Sequence, residues 1–279
     1  MASSGTVVIT GASTGIGRAT ALRLARAGFD VLAGVRREED GADLRAQEGR
    51  IEPVLVDVTD AGQIATLAAR VGALPLAGLV NNAGIAVAGP LEGVPIDLVR
   101  RQYEVNVFGL LAVTQALLDP IRAGQGRIVN IGSIGGRINT PFVGPYSSSK
   151  AAVRSLSAAL RRELRPWDIR VALVEPGALD TPIWRKGEAG AQETIDALPD
   201  RVRSLYARPL DALVAATRKI AANASSADDA AQAIEHALTA ERPKAIYTVG
   251  REARIQGALH SVLPARAFDA LVARAMKTG

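Results

Sequence analysis

Short apolar runs recur along the first two-thirds of the chain, separated by longer stretches of amphipathic character. The runs are TVVIT (6–10), VLAGV (31–35), IEPVLV (51–56), LAGLV (76–80), RIVNI (127–131) and RVALV (170–174). Between them, apolar residues fall at helical spacing over 16–27, 97–119 and 147–165. Strand, helix, strand at this rhythm predicts βαβ units, and so an α/β fold whose parallel sheet is covered on both faces. The runs are nearly continuous rather than alternating, which fits strands buried on both sides. After Pro176-Gly177 the rhythm stops. Residues 178–210 mix charges, small residues and prolines, and read either as a cap over a site or as an irregular insertion. A helix at about 225–240, a strand AIYTV (245–249) and a helical segment at 251–276, interrupted at Pro264, complete the pattern. No repeat or linker divides the chain, so 1–279 is expected to form a single domain. Within it we expect a core at about 5–177, a substrate-loop region at about 178–210, and C-terminal helices with the last strand at 211–279.

Composition narrows the chemistry. Cysteine is absent and histidine occurs twice, as His236 and His260. That excludes disulfides, thiol nucleophiles and cysteine-rich zinc sites, and no metal centre is expected. The net charge is +5 and the pI about 9.9, values that raise the question of nucleic acid. Yet only five of the 33 basic residues are lysine, and the arginines are interleaved with 28 acids. The densest cluster, RRELRPWDIR (161–170), reads as a helix C-terminus, where cations complement the dipole. No aromatic stacking platform accompanies it, so no nucleic-acid partner is expected. The long uncharged run ending at Leu91 is broken by Pro75 and Pro90 and makes a poor membrane span. MASSGTVVIT lacks the basic start of a signal peptide, and a cytoplasmic protein is expected.

The first strand runs into a glycine turn and then a helix, TVVITGASTGIGRATALRLARAG, with Gly11, Gly15 and Gly17 spaced four and two apart. Glycines here allow a tight turn, let a phosphate approach the backbone, and let the helix pack on the strand. Ser13, Thr14 and Ile16 fill the turn, and the helix start offers free N–H groups to a pyrophosphate. At the end of the second strand an NAD site places a carboxylate for the ribose hydroxyls. Val35 stands there instead, followed by Arg36 and Arg37. Bidentate arginine suits the 2′-phosphate of NADP, so NADP(H) is the expected cofactor, with NAD(H) as the alternative. A plain reading remains beside it, in which both arginines merely begin a solvated helix.

These motifs resemble the short-chain dehydrogenase/reductase family. TGASTGIG (10–17), NNAG (81–84), Asn106, Ser133, Tyr146-x-x-x-Lys150 and PGALDT (176–181) stand in the family's order and spacing. The likeness is strong over about 5–180 and weaker beyond, where ERPKAIYTVGREA (241–253) is similar to the retinol and hydroxysteroid dehydrogenase branch. The resemblance implies a single-domain Rossmann-type doubly wound sheet of seven strands in the order 3-2-1-4-5-6-7. It implies that Asp57 and the backbone of Val58 hold the adenine. Asn81 and Asn82 with Ala83 and Gly84 would line the cofactor, as would Pro176, Gly177 and Thr181, the last on the nicotinamide carboxamide. NNAG also fits a strand-end turn that stabilises the sheet. A homodimer or homotetramer is implied, with the segments 97–119 and 147–165 meeting a second copy. Their alanine-rich faces equally fit burial within one chain.

Tyr146 and Lys150 lie four apart, on one face of the expected helix. A free phenol titrates near 10, and a neighbouring ammonium favours its ionised form, so Lys150 is expected to lower the Tyr146 pKa. By resemblance Lys150 also bonds the nicotinamide ribose. The Ser133 hydroxyl can fix a carbonyl oxygen beside the phenol. Asn106 would hold a water linking Lys150 to solvent, or else it satisfies a kink in a long helix. Residues 139–145, Ile183, Trp184 and Tyr206 supply an apolar wall suited to a hydrophobic ketone, aldehyde or alcohol, although Trp184 and Tyr206 also suit plain packing. Two rival classes on this fold are a non-redox lyase and a silent NADP-binding sensor. The intact glycine turn and Lys150 disfavour the lyase, and the complete Asn106, Ser133, Tyr146, Lys150 set disfavours the sensor.

Overall fold

A computed structural model describes residues 4–178, 198–207 and 226–276. Seven strands form one sheet: β1 Thr6–Ile9, β2 Asp30–Val35, β3 Ile51–Leu55, β4 Leu76–Asn81, β5 Arg127–Ile131, β6 Arg170–Pro176 and β7 Ile246–Val249. Their order is β3-β2-β1-β4-β5-β6-β7, and every neighbouring pair is parallel. The expected topology is therefore the observed one, with strand ends shifted by a residue or two. Successive side chains of a strand point to opposite faces. On β1, Val7 and Ile9 join a core with Leu24 and Ile234 on one side of the sheet. Val8, between them, joins Leu79, Leu117 and Ile128 on the other.

The helices are α1 Gly15–Arg26, α2 Glu39–Arg45, α3 Ala61–Val71, α4 Ile96–Tyr103, α5 Leu110–Ala116, α6 Leu118–Ala123, α7 Gly135–Ile138, α8 Gly144–Glu163, α9 Ala227–Thr239, α10 Arg251–Val262 and α11 Ala265–Met276. The break at Pro264 falls where the sequence placed it. The segment 97–119 is not one regular helix, however. Residues Glu104–Gly109 form a π-helical turn between α4 and α5. Such a turn inserts an extra residue and re-aims the side chains it carries, a device common at functional sites. Helix α8 begins at Gly144, three residues earlier than the apolar spacing suggests, because Pro145 fits its first turn.

Parallel strands bring their C-terminal ends to one edge of the sheet. The loops after β1, β2, β4, β5 and β6 therefore meet there, at the point where the order reverses between β1 and β4. Open α/β sheets bind ligands in this crevice.

Candidate active site

The turn after β1 closes tightly on the NNAG segment. Gly11 has φ +65°, and a Cβ there would lie 2.9 Å from the Ala83 Cα. A Cβ on Gly17 would collide with the Gly11 carbonyl and the Asn82 side chain. Thr14 is the N-cap of α1 but its side chain makes no capping bond. The helix N–H groups are thus left open toward the crevice. The Asn82 amide donates to the carbonyls of Thr10 at 3.0 Å and Gly11 at 2.9 Å. The Thr10 hydroxyl in turn accepts the backbone N–H groups of Asn82 and Ala83 at 3.0 Å. NNAG and the glycine turn are one hydrogen-bonded unit. Asn81 faces away from it, buried, donating to Thr114 and to Asn130 at 2.9 Å.

At the end of β2, Arg37 is engaged with its own turn, pairing with Glu39 at 2.9 Å and Asp40 at 2.8 Å. Arg36 is exposed, and its charge reaches the Asp57 carboxylate. Partial burial pushes Asp57 up, but two hydrogen bonds from Thr59 and the fields of Arg36 and Arg101 hold its pKa below the usual value. Val58 is buried and packs so closely on Gly109 of the π turn that no Cβ fits there.

The catalytic candidates gather beside this unit. The Tyr146 ring and the Ser133 hydroxyl meet over Gly135, where an added Cβ would stand 3.7 and 3.3 Å from them, and the Ser133 oxygen accepts the Gly135 N–H at 3.0 Å. Lys150 is 5% exposed; its Nζ donates to the Ile131 carbonyl at 2.8 Å and lies 5.8 Å from the Tyr146 ring centre. Asn106 Oδ1 accepts the Ile85 N–H at 2.9 Å, and its Nδ2 donates to the Ile85 carbonyl and to Ser149 Oγ, both at 3.1 Å. A Cβ on Gly84 would stand 3.3 Å from Asn106 Oδ1 and 3.7 Å from Lys150 Nζ. Glycine at 84 thus keeps open the space that joins the cofactor turn to the lysine.

Burial sets the proton affinities. It pushes the Lys150 ammonium down to about 8. It pushes the Tyr146 phenol up, and the neighbouring Ser133 hydroxyl recovers part of that rise. The expected lowering of Tyr146 by Lys150 is therefore not what this site shows. Desolvation of the phenolate outweighs an ammonium whose hydrogen bond goes to Ile131.

A sequence profile of the short chain dehydrogenases matches residues 5–192. The chain belongs to the short-chain dehydrogenase/reductase family. It is 36% identical to the NADPH-dependent 3-dehydrocapnine reductase of Ornithobacterium rhinotracheale, covering 97% of this chain and 96% of that protein. It is 35% identical to retinol dehydrogenase 5 of Mus musculus, covering 97% and 88%. A short-chain dehydrogenase from Burkholderia cenocepacia, solved in complex with NADP, superposes with TM-score 0.75 at 28% identity over 99% of both chains. The protein is an oxidoreductase of this family, on the branch that holds retinol and hydroxysteroid dehydrogenases.

Several short-chain dehydrogenase positions resolve differently from the sequence reading. Asn106 sits in the π turn rather than on a long regular helix, and its hydrogen bonds go to Ile85 and Ser149. Gln102 was missed. It is wholly buried one turn before Asn106, accepts the Val87 N–H at 2.7 Å and donates to the Ile85 carbonyl at 2.8 Å. Its four-residue spacing from Asn106 was the available signal. Ser149 was also missed; it joins Asn106 to the Tyr146 carbonyl, to which its hydroxyl donates at 2.7 Å. Pro176 accepts the Ile134 N–H at 2.9 Å, and the Gly177 N–H donates to Val249 at 2.9 Å, closing the floor of the crevice. Tyr206 donates to Glu92 at 3.0 Å and meets the Phe142 ring edge-on at 6.0 Å, the packing role. Thr181, Ile183 and Trp184 lie outside the described residues.

The residues present fit a nicotinamide dinucleotide. Gly11 and Gly17 let the turn close on NNAG without a Cβ clash, and the open start of α1 supplies donors for a pyrophosphate. No group of acids and histidines that could hold a metal occurs among the described residues, and none of their helices is long and apolar enough to cross a membrane.

Proposed function

We propose that the protein interconverts a hydrophobic ketone or aldehyde and the corresponding alcohol, with NADP(H) as its preferred cofactor and NAD(H) as a weaker alternative. The observation that carries this is the placing of the Tyr146 phenol beside Ser133, with Lys150 buried one turn away beside Gly84. When bound, the reduced cofactor supplies a hydride to the carbonyl carbon. Gly11, Ser13, Thr14, Gly15, Ile16 and Gly17 would hold its pyrophosphate, Arg36 its 2′-phosphate, Asp57 and Val58 its adenine, and Asn82, Ala83, Gly84, Pro176 and Gly177 its nicotinamide half. NADPH dependence in the Ornithobacterium relative supports the preference.

In this reading Ser133 donates to the substrate oxygen and holds it beside the Tyr146 hydroxyl. Tyr146 delivers its proton to that oxygen during reduction and takes it back during oxidation. The raised phenol affinity keeps Tyr146 protonated at neutral pH, ready for the reductive direction. Lys150, shifted to about 8, remains mostly charged near pH 7 and stabilises the phenolate left behind. Asn106 and Gln102 pin the 85–87 backbone, fixing the wall that Lys150 faces.

Phe142, Leu198 and Val202 form a small apolar cluster with Tyr206 over the 89–93 loop, which suits an apolar substrate. We also assign a second copy of the chain to the face of 96–116, where Ile96 is 62% and Phe108 54% exposed. Tyr146→Phe tests the chemistry. Turnover of aliphatic and aromatic ketones with NADPH should fall by about 10²–10⁴-fold, while NADPH affinity stays unchanged. Near-wild-type turnover would remove Tyr146 as the acid/base.

A further inference from the structure

At the opposite edge of the sheet, where β6 and β7 begin, lies a pocket of about 200 Å³. Arg170 to Pro176 spans β6, so roughly 20 Å of strand separates it from the catalytic crevice. Arg161, Arg165, Arg170 and Lys244 line it, against a single acid, Asp168. The floor is apolar, made by the first residues of β6 and by Ala237. Arg161, Arg165 and Lys244 have no ion-pair partner among the described residues. Arg170 is tied to the Glu241 carbonyl and stands 3.9 Å from the well-exposed Asp168.

The charge balance decides what such a pocket takes. The C-terminus of α8 contributes about half a negative charge here, and Asp168 one more. Four cations still outweigh both, and Arg127 adds a fifth just below, bonded to the carbonyls of Ala237 and Ala240. Like charges gathered at one depression repel one another, and a bound anion removes that cost. Guanidinium forks bond two oxygens of a phosphate or a carboxylate at once. The apolar floor favours a ligand with a short hydrocarbon part, and the volume limits it to a small one. We propose that this pocket binds a small amphipathic anion, a phosphate monoester or carboxylate carried on a short apolar chain. The arginine cluster 161–170 then has a role beyond complementing a helix dipole.

Calorimetric titration of the full chain, in excess NADPH to occupy the crevice, tests the proposal. Hexyl phosphate should bind at least about tenfold more tightly than inorganic phosphate, and hexanol should not bind. The double variant Arg165→Ala/Lys244→Ala should weaken hexyl phosphate at least about tenfold, with NADPH affinity unchanged as the check on folding. Hexanoate should also bind and lose that binding in the same variant; hexanoate that does not bind would strike the carboxylate from the proposal. Equal binding by the variant, or no advantage of hexyl over inorganic phosphate, would overturn the proposal. So would binding seen only with vesicles containing phosphatidylglycerol, because the cluster would then be a membrane-facing surface.

Discussion

Arg36 and Arg37 are adjacent and chemically identical, yet the structure gives them different surroundings. Arg37 is held by Glu39 and Asp40, whereas Arg36 stands exposed beside Asp57. Arg36→Ala should therefore weaken NADPH about tenfold or more and leave NADH nearly unchanged, measured by fluorescence titration. Arg37→Ala should do little to either cofactor; the reverse pattern would exchange the two assignments. Lys150 carries a second prediction. Its folded pKa is about 8 and its unfolded value about 10.4, so the unfolded chain binds more protons between them. Stability of the cofactor-free protein should then rise from pH 8 toward pH 10, by about 3 kcal/mol at most from this residue. The raised Tyr146 pKa acts in the opposite sense only above the phenol's unfolded value near 10. Urea unfolding across this range, wild type against Lys150→Met, isolates the lysine. A parallel pair of curves would mean that the ammonium is not desolvated.

At the scale of elements, the end of β6 is locked to α8, which carries Tyr146 and Lys150, and to α7. Glu175 is 1% exposed and pairs with Arg154, one turn beyond Lys150 on α8. Its other oxygen lies 4.0 Å from Arg137 on α7, the helix that follows Ser133. On either side of Glu175, Val174 and Pro176 accept the N–H groups of Gly132 and Ile134 at 2.8 and 2.9 Å. A contact that fixes Ser133 against Tyr146 should matter to rate more than to binding. Glu175→Gln should cost about 2 kcal/mol of stability, below the value for a fully buried pair because Arg154 keeps part of its side chain in water. It should also lower kcat with little change in cofactor affinity. Stopped-flow turnover beside NADPH titration would show this, and unchanged kcat would make the pair purely structural.

None of that clamp was legible in the sequence, because Arg137, Arg154 and Glu175 are brought together only by tertiary packing. The Tyr146–Lys150 pair was legible because helical spacing alone places both on one face. The π turn was not. EVNVFG carries no glycine or proline before its last residue, and its extra residue is stabilised by bonds from Asn106 to Ile85 and Ser149, partners 21 and 43 residues away.

Across the whole molecule, the sheet was readable because each strand is a nearly pure apolar run and the parallel topology follows from helices between them. The glycine turn was readable for the same local reason. The proton affinity of Tyr146 was not, because burial is a property of the assembled crevice rather than of four residues. The central claim is that this crevice holds a nicotinamide dinucleotide, with the 2′-phosphate read by Arg36. The most direct measurement is a fluorescence titration of the purified protein with NADPH and, separately, NADH. The account predicts saturable binding of both, with NADPH tighter by about tenfold or more. Binding of neither would contradict it.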